Sequence, residues 1–376
     1  MPQPHDVIIV GLGAMGSAAA YHLSGRHARV LGIDRFAPPH DRGSSHGKSR
    51  IIREAYFEHP LYVPIVQRAY ECWRELEQVS GRHVLRQTGG LMLGQSDGSV
   101  VAGALASARQ HGLPHEELTA SDVSRRVPAF CLPPEQCGVW EPRAGMLEPE
   151  AAIAAHLSVA QARGAELRLN EPVLSWSAFS DGVAVTTTEG TYTARHLILS
   201  AGAWISQLLP ELTRPLVVER NVLYWFRPRR NPERFGPDAF PIFIAEYDPG
   251  HFWYGFPDVG DGLKVALHHD GEHTTADTVR RDVDADEIAA VRSLLQRFLP
   301  DANGDLLETA VCLYTNAPDD HFIIDRHPDH PAVVIASPCS GHGFKFSSAI
   351  GEILADLVTA GRSRFDLSPF AITRFR

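Results

Sequence analysis

Hydrophobic and polar positions follow two periods along this chain, and each change of period marks an element. Residues 7–10, Val7-Ile8-Ile9-Val10, are a β-branched run that predicts a buried strand. Three glycines follow at once, Gly11, Gly13 and Gly16. Residues 17–23, with Ala18, Ala19 and Ala20, predict a closely packed helix, and residues 28–34 a second apolar strand ending in Asp34. Arg50 and Arg53 open a helical pattern through Ile51, Ile52, Ala55 and Tyr56. Over residues 60–77, Val63, Val66, Ala69, Tyr70, Trp73 and Leu76 share one helical face, and Pro64 falls in the first turn, where its missing N–H does no harm. Gly89-Gly90 turns into a strand at Leu91-Met92-Leu93. Ser121 caps a short helix that Pro128 breaks, and an alanine-rich helix over 151–163 stops at Gly164.

Short strands are predicted at 166–169, 183–187 and 192–194. A buried-type strand at 196–200 runs into Ala201-Gly202-Ala203-Trp204, where a backbone can pass close to something flat or to the first glycine turn. That places the segment in the sheet of residues 7–10. From 216 to 310 strand-like runs dominate, at 216–219, 222–226, 242–245 and 251–256. Residues 263–269 alternate, so Lys264, Ala266 and His268 share one face, and period alone favours a solvated face. An amphipathic helix covers 285–298, strand patterns recur at 312–315, 322–325 and 333–336, and a last helix is predicted at 349–360.

This order implies an α/β protein that begins and ends in nucleotide-binding material. The expected division is a Rossmann-like, three-segment dinucleotide-binding domain at 1–85, 145–215 and 310–376, with a sheet-rich substrate domain at 86–144 and 216–309. In the glycine turn, Gly11 permits the tight bend, Gly13 lets the backbone approach a pyrophosphate at the helix N-terminus, and Gly16 brings helix and sheet together. Asp34, 18 positions beyond Gly16, is spaced to accept from ribose hydroxyls, which favours NAD or the ADP half of FAD over NADP. The motif alone leaves those two open.

Composition narrows the classes. The 376 residues are 44% hydrophobic and 21% charged, enough for two sizeable cores. A formal charge of -10 disfavours nonspecific nucleic-acid binding. No apolar run approaches the roughly 18 residues that cross a bilayer. Met1 to Asp6 carry no basic leader, and Arg374-Phe375-Arg376 is no organelle address. Five cysteines, Cys72, Cys131, Cys137, Cys312 and Cys339, show neither C-x-x-C nor zinc spacing, so free thiols, a cytoplasmic location and no metal are expected.

Two loops carry the candidate chemistry. Residues 41–50 are polar, basic and rich in small residues, with Ser44, His46 and Arg50 available to phosphate or flavin edges; a solvated basic loop fits the composition as well. At 340–348, glycines bracket His342, and Lys345 precedes hydroxyls at a helix start, a combination suited to an anion.

With these residues the chain resembles the monomeric sarcosine oxidases and the related N-methyltryptophan and pipecolate oxidases, flavoenzymes of secondary amino acids. The resemblance runs through nearly the whole length. It rests on Gly11-Leu12-Gly13-Ala14-Met15-Gly16, His46-Gly47-Lys48-Ser49-Arg50-Ile51-Ile52-Arg53, Tyr254-Gly255-Phe256-Pro257, Cys312-Leu313-Tyr314-Thr315, Asp320-His321-Phe322-Ile323-Ile324-Asp325 and the segment from Ser340 to Ser348. It implies that the three-segment domain is an FAD-binding domain of the glutathione-reductase kind, with FAD attached at the flavin 8α-methyl through the Cys312 thiolate and Cys339 as a rival attachment point. Lys264 is implied near flavin N5, where a fixed positive charge speeds the reaction of reduced flavin with O2, and His268 as a residue that tunes the pocket. Arg53 and Lys345 are implied to hold the substrate carboxylate, Arg50 to lie beside the flavin ring, and Tyr254 to line the substrate pocket. The implied cofactor set also includes Gly11, Gly13, Ala14, Met15, Gly16, Asp34, Arg35, Ser44, His46, Val173, Ala201, Gly202, Trp204, Gly341, His342, Gly343 and Phe344.

The implied reaction is oxidation of an N-methyl amino acid, such as sarcosine or N-methyltryptophan, to an imine that hydrolyses to formaldehyde and the amino acid, with O2 reduced to H2O2. A deaminating or pipecolate-like oxidase or dehydrogenase is the alternative, and a nicotinamide-dependent reductase the alternative of another class. Expected partners are a small amino-acid-like substrate and O2, with no nucleic acid, no membrane and a monomeric state. Ser337-Pro338-Cys339 departs from the family pattern. Trp225, Phe243, His251 and Trp253 match no single subfamily, which leaves the substrate side chain open.

Overall fold

The glycine turn nucleates one sheet. In a computed structural model, which describes residues 5–212 and 215–375, the strand His5–Val10 runs parallel to Val30–Asp34 on one side and to Thr191–Leu199 on the other. The helix Ala14–Gly25 connects the first two. The leader reading at Met1 to Pro4 and the terminal Arg376 lie outside the described residues. The eight-stranded sheet runs Val173–Phe179, Gly182–Thr187, Thr191–Leu199, His5–Val10, Val30–Asp34, Glu166–Leu169; Val333–Ser337 also pairs with Thr191–Leu199, and Ile323–Arg326 with Val333–Ser337. Helices Val63–Ser80, Pro149–Ala162 and Ser347–Thr359 share one apolar core with Ala14–Gly25.

A nine-stranded sheet stands beside it, built from residues 90–141 and 217–316. Its centre is Val217–Phe226, His251–Phe256, Leu263–His268 and Ile242–Asp248, and Leu306–Asn316 pairs with Val217–Phe226 along its whole length. That last strand carries Cys312 and runs across the expected boundary at 310. A three-stranded sheet of Arg50–Ile52, Gly145–Leu147 and Leu85–Gln87 bridges the two regions. No helix among the described residues is long and apolar enough to cross a membrane.

Several expectations need correction. Arg50–Ile52 is a strand, not the start of a helix: Ile51 and Ile52 are β-branched, and the segment pairs with Gly145–Leu147. The short helix is Ala120–Arg126, capped by Thr119 rather than Ser121, because Thr119 and Asp122 close a reciprocal capping box. The runs at 216–219 and 222–226 are one strand, Val217–Phe226, held together by continuous pairing with Leu306–Asn316. Likewise 192–194 and 196–200 merge into Thr191–Leu199. The last helix starts earlier, at Ser347. The helix Ser99–His111, whose apolar face is mostly alanine and valine, has no counterpart in the sequence reading. The face of Lys264, Ala266 and His268 is buried, not solvated, with 2% exposure at Lys264 and 8% at His268. Gly47 and Ser49 cover it at Lys264, and Tyr314 and Gly341 at His268.

Candidate active site

The two large sheets and the bridging sheet enclose a cavity of about 450 Å³. At one end stands the glycine turn. Gly11 takes φ +88°, and a Cβ there would lie 2.5 Å from the Ser200 carbonyl oxygen. At Gly16 a Cβ would lie 1.8 Å from the Gly11 oxygen. Both glycines are therefore required by the fold itself. Gly13 is not: its nearest protein atom would be Ser45 Oγ at 3.7 Å, and its bare backbone faces the cavity. No side chain caps the helix that starts there. First-turn N–H groups left without a cap suit an anionic group. Asp34 accepts from Leu12 N at 2.7 Å and Phe36 N at 2.8 Å, which fixes the carboxylate at the cavity wall.

At the other end, the loop from Gly43 to Ser49 crosses between the sheets. Glu150 holds it by accepting from Gly47 N at 2.7 Å and Lys48 N at 3.1 Å. Arg50 donates to Ser49 O and Ser44 O, both at 2.8 Å, and to Cys312 Sγ at 3.2 Å. The cavity thus meets a thiol with a guanidinium directly on it. Cys339 lines the same cavity, and burial pushes its thiol up to about 11, which keeps it protonated near neutrality. Lys264 lies behind this loop. Its ammonium donates to Gly47 O at 2.6 Å, Ser49 O at 2.8 Å and Ser49 Oγ at 3.1 Å, and rests 4.6 Å from the Phe256 ring centre. Burial, with Arg50 close by, holds its pKa well below the usual lysine range.

Arg53 follows the bridging strand and is 1% exposed. It donates to both oxygens of Glu58, at 2.8 and 2.6 Å, and to Ala55 O at 2.9 Å. Burial alone would raise the Glu58 pKa, but Arg53, His342 and Lys345 outweigh it and keep the carboxylate ionised. Lys345 donates to His342 O at 2.9 Å, and burial with Arg53 nearby lowers its pKa to about 7. His342 lies flat on Phe322, with ring centres 4.8 Å apart, and its Nδ1 meets the Tyr56 hydroxyl. Burial lowers its pKa to about 4, so it is neutral. His268 Nδ1 and the Tyr314 hydroxyl lie 3.1 Å apart, and the Tyr254 ring sits edge-on to His268 at 6.0 Å. Burial first, and then the neighbouring His269, hold the His268 pKa well down.

The structure brings most of the expected residues to this one cavity. Gly11, Gly13, Ala14, Met15, Asp34, Arg35, Ser44, Arg50, Arg53, Val173, Ala201, Gly202, Trp204, Tyr254, His268, Cys312, Gly341, His342, Gly343, Phe344 and Lys345 line it. Gly16, His46 and Lys264 do not reach its wall: Gly16 packs under the turn, His46 belongs to the loop without lining the cavity, and Lys264 stands behind that loop at Gly47. Glu58, Glu150 and Tyr314 are functional neighbours that the sequence reading gave no role. Tyr314 lay within a quoted motif; Glu58, five residues from Arg53, follows no helical or strand spacing that would pair them.

The residues fit FAD. The bare Gly13 backbone, the uncapped helix and the Asp34 carboxylate match a pyrophosphate and a ribose. Ser44 Oγ and His46 Nε2 are buried with no hydrogen-bond partner in the protein, beside the Arg50–Cys312 end of the cavity.

Comparison with known proteins agrees. The family described as FAD dependent oxidoreductase matches residues 6–357. The chain is 46% identical over 374 residues to a monomeric sarcosine oxidase of Streptomyces avermitilis, covering 98% of this chain and 97% of the relative. It is 35% identical over 374 residues to an N-methyl-L-tryptophan oxidase of Yersinia pestis, covering 99% and 100%. Among solved structures, the amino acid oxidase NikD of nikkomycin biosynthesis superposes with a TM-score of 0.85 at 26% identity, covering 98% of this chain and 97% of that one. An L-proline dehydrogenase from P. horikoshii shares the fold, with a TM-score of 0.86 at 21% identity, covering 100% and 98%. The expectation of a nicotinamide-dependent reductase falls with the family match. The chain belongs to the FAD-dependent oxidoreductases, in the group of the monomeric sarcosine oxidases and N-methyltryptophan oxidases.

Proposed function

We propose that the protein oxidises secondary amines of N-methyl amino acids, such as sarcosine or N-methyltryptophan, with O2 as electron acceptor. The observation that carries this reading is the continuity of one cavity from the Gly13 cradle to the Arg53 and Lys345 cations. A carboxylate held there sets its α-amine at the cofactor end, a positioning effect. FAD supplies the two-electron acceptor. One N-methyl amino acid, one O2 and one water give the demethylated amino acid, formaldehyde and H2O2.

In this reading Arg53 and Lys345 bind the substrate carboxylate, and Glu58 leaves Arg53 as they do so. Tyr254, His268 and Tyr314 enclose the amine end; a neutral His268 is able to take a proton from it. Gly11, Gly13 to Met15, Asp34, Arg35, Ser44, Val173, Ala201 to Trp204 and Gly341 to Phe344 would hold the cofactor, with Gly16 shaping the turn beneath them. Arg50 donates to the Cys312 sulfur at 3.2 Å and so fixes the atom that would form a thioether bond to flavin. Lys264, a cation held by carbonyl dipoles rather than by a carboxylate, favours reduction of O2. The expected division into an FAD domain and a substrate domain, a monomeric state and a cytoplasmic location belong to the same proposal.

A panel of N-methyl, primary and cyclic amino acids, assayed together for peroxide, formaldehyde and ammonia, tests it. Peroxide with equimolar formaldehyde from an N-methyl substrate is expected. Peroxide with ammonia and no formaldehyde would replace it with a deaminating oxidase. Acid precipitation should leave yellow colour on the polypeptide, and Cys312→Ala should release it; acid-stable flavin in that variant would move the attachment to Cys339.

A further inference from the structure

Behind Arg53 lies a group that the proposed chemistry does not use. Glu141 ends the strand Cys137–Glu141 of the nine-stranded sheet and is 1% exposed. Its two carboxylate oxygens accept from Glu54 N at 2.6 Å and Ala55 N at 2.8 Å. The carbonyl of the same Ala55 accepts from Arg53 Nη1 at 2.9 Å. A continuous chain therefore runs from a carboxylate on one sheet, through residue 55, to the guanidinium that faces the cavity. Nothing in strand pairing holds these residues, because the bridging strand ends at Ile52. Without Glu141, two buried N–H groups lose their partner, and such groups re-pair by moving the backbone.

We propose that Glu141 is a positioning residue for substrate recognition: its carboxylate, acting through Ala55, sets the Arg53 guanidinium where it meets the substrate carboxylate. The inference rests on the reading of Arg53 as the carboxylate-binding residue. It makes recognition depend on the charge of Glu141. A carboxylate accepts two N–H bonds; a protonated carboxyl carries an O–H donor that faces one of them. Burial pushes the Glu141 pKa up to about 7 against the two N–H bonds that favour its anion. The groups facing it are Glu54 and Arg53 on the loop and Tyr70 on the helix Val63–Ser80; Arg143 and Arg74 act in turn on Glu54 and Tyr70. The brace is thus complete on the alkaline side of about pH 7 and weakens as pH falls.

Acetate, which has no amine to titrate, is the probe. Its affinity for the flavin-loaded enzyme is read by calorimetry and by the flavin absorption, from about pH 6 to pH 8. Lys345 gains charge as pH falls and strengthens anion binding over the same range, so the brace is read as a ratio: the advantage of the wild-type protein over Glu141→Gln should be roughly fivefold at neutrality and smaller at the acid end, with KM for the amine substrate raised in the variant and kcat little changed. Glu141→Gln that retains wild-type affinity at neutrality would overturn the proposal. Should that variant fail to fold with flavin, the profile of Lys345→Met decides: with the lysine's titration removed, a flat acid side overturns it, a falling one sustains it. Arg53→Met separates the two readings. Wild-type acetate binding in that variant would remove Arg53 as the carboxylate site, whatever Glu141 does.

Discussion

Glu58 blocks the residue that the proposed substrate needs, so removing its charge should tighten carboxylate binding. The pair is a two-pronged bond between a guanidinium whose side chain is 2% exposed and a carboxylate whose side chain is 18% exposed. Exposed ion pairs are worth about 0–1 kcal/mol, and breaking fully buried ones costs about 3–5 kcal/mol. Glu58 lines the cavity and is partly wet, which places the competition at roughly 1.5–3 kcal/mol. Glu58→Gln keeps one oxygen that can still accept from Arg53, so the lower part of that range applies. Acetate should then bind about tenfold tighter to the flavin-loaded variant. Glu58 is ionised well below neutrality, because Arg53, His342 and Lys345 outweigh the effect of burial. The gain should therefore be nearly constant between about pH 6 and pH 8. Calorimetric titration of both proteins with acetate measures it directly. Equal or weaker binding in Glu58→Gln would mean that the carboxylate does not compete for Arg53, and would refute the reasoning.

Three further outcomes follow from the same geometry. Lys345, lowered to about 7 by burial, carries its charge on the acid side and loses it as pH rises; the advantage of the wild-type protein over Lys345→Met in acetate affinity should therefore shrink from about pH 6 to about pH 8, and a constant ratio would count against a charged Lys345 at the anion. Lys264→Met should slow reoxidation of reduced flavin by about 100-fold in stopped-flow mixing with O2, with much less effect on flavin reduction by substrate; equal slowing of both steps would count against an oxygen role. Gly13→Ala should fold with an unchanged Tm but bind less flavin, because its Cβ would meet only Ser45 Oγ, whereas Gly16→Ala should fail to fold, its Cβ falling 1.8 Å from the Gly11 oxygen; flavin content and thermal melts distinguish the two.

The first sheet was legible because its determinants are local. β-Branched runs, the glycine spacing and Asp34 specify His5–Val10, Ala14–Gly25 and Val30–Asp34 without help from distant residues. The bridging strand was not, because Arg50-Ile51-Ile52 becomes a strand only by pairing with Gly145–Leu147, almost a hundred residues away. The burial of Lys264 was hidden for a related reason. Alternation within 263–269 states that Lys264 and His268 share a face, but the loop from Gly43 to Ser49, fixed by Glu150, covers it at Lys264, and Tyr314 with the segment at Gly341 covers it at His268. Glu141 and Glu58 were silent in the sequence because each acts across a turn or between sheets, where no residue period relates the partners.

The cations around the cavity are solvated in an unusual way, and this bears on their use. Among the described residues away from the cavity, the buried Arg220 has a carboxylate partner in Glu287. Lys264 instead donates only to two carbonyls and a hydroxyl, Lys345 to a carbonyl, and Arg50 to two carbonyls and a thiol. Carbonyl dipoles satisfy the donors without cancelling the charge. The depressed pKa values of Lys264 and Lys345 follow from that arrangement, since burial, with Arg50 near Lys264 and Arg53 near Lys345, opposes the charge more than Glu150 or Glu58 restores it. A carboxylate at either place would have stabilised the empty protein and neutralised the field that a bound anion is to meet. Arg53 is the exception, and its partner Glu58 belongs to the cavity wall, where an entering carboxylate can exchange with it. This end of the site thus keeps its donors free of carboxylates except at Arg53, and the Arg53–Glu58 pair is the one that the proposed carboxylate binding would break.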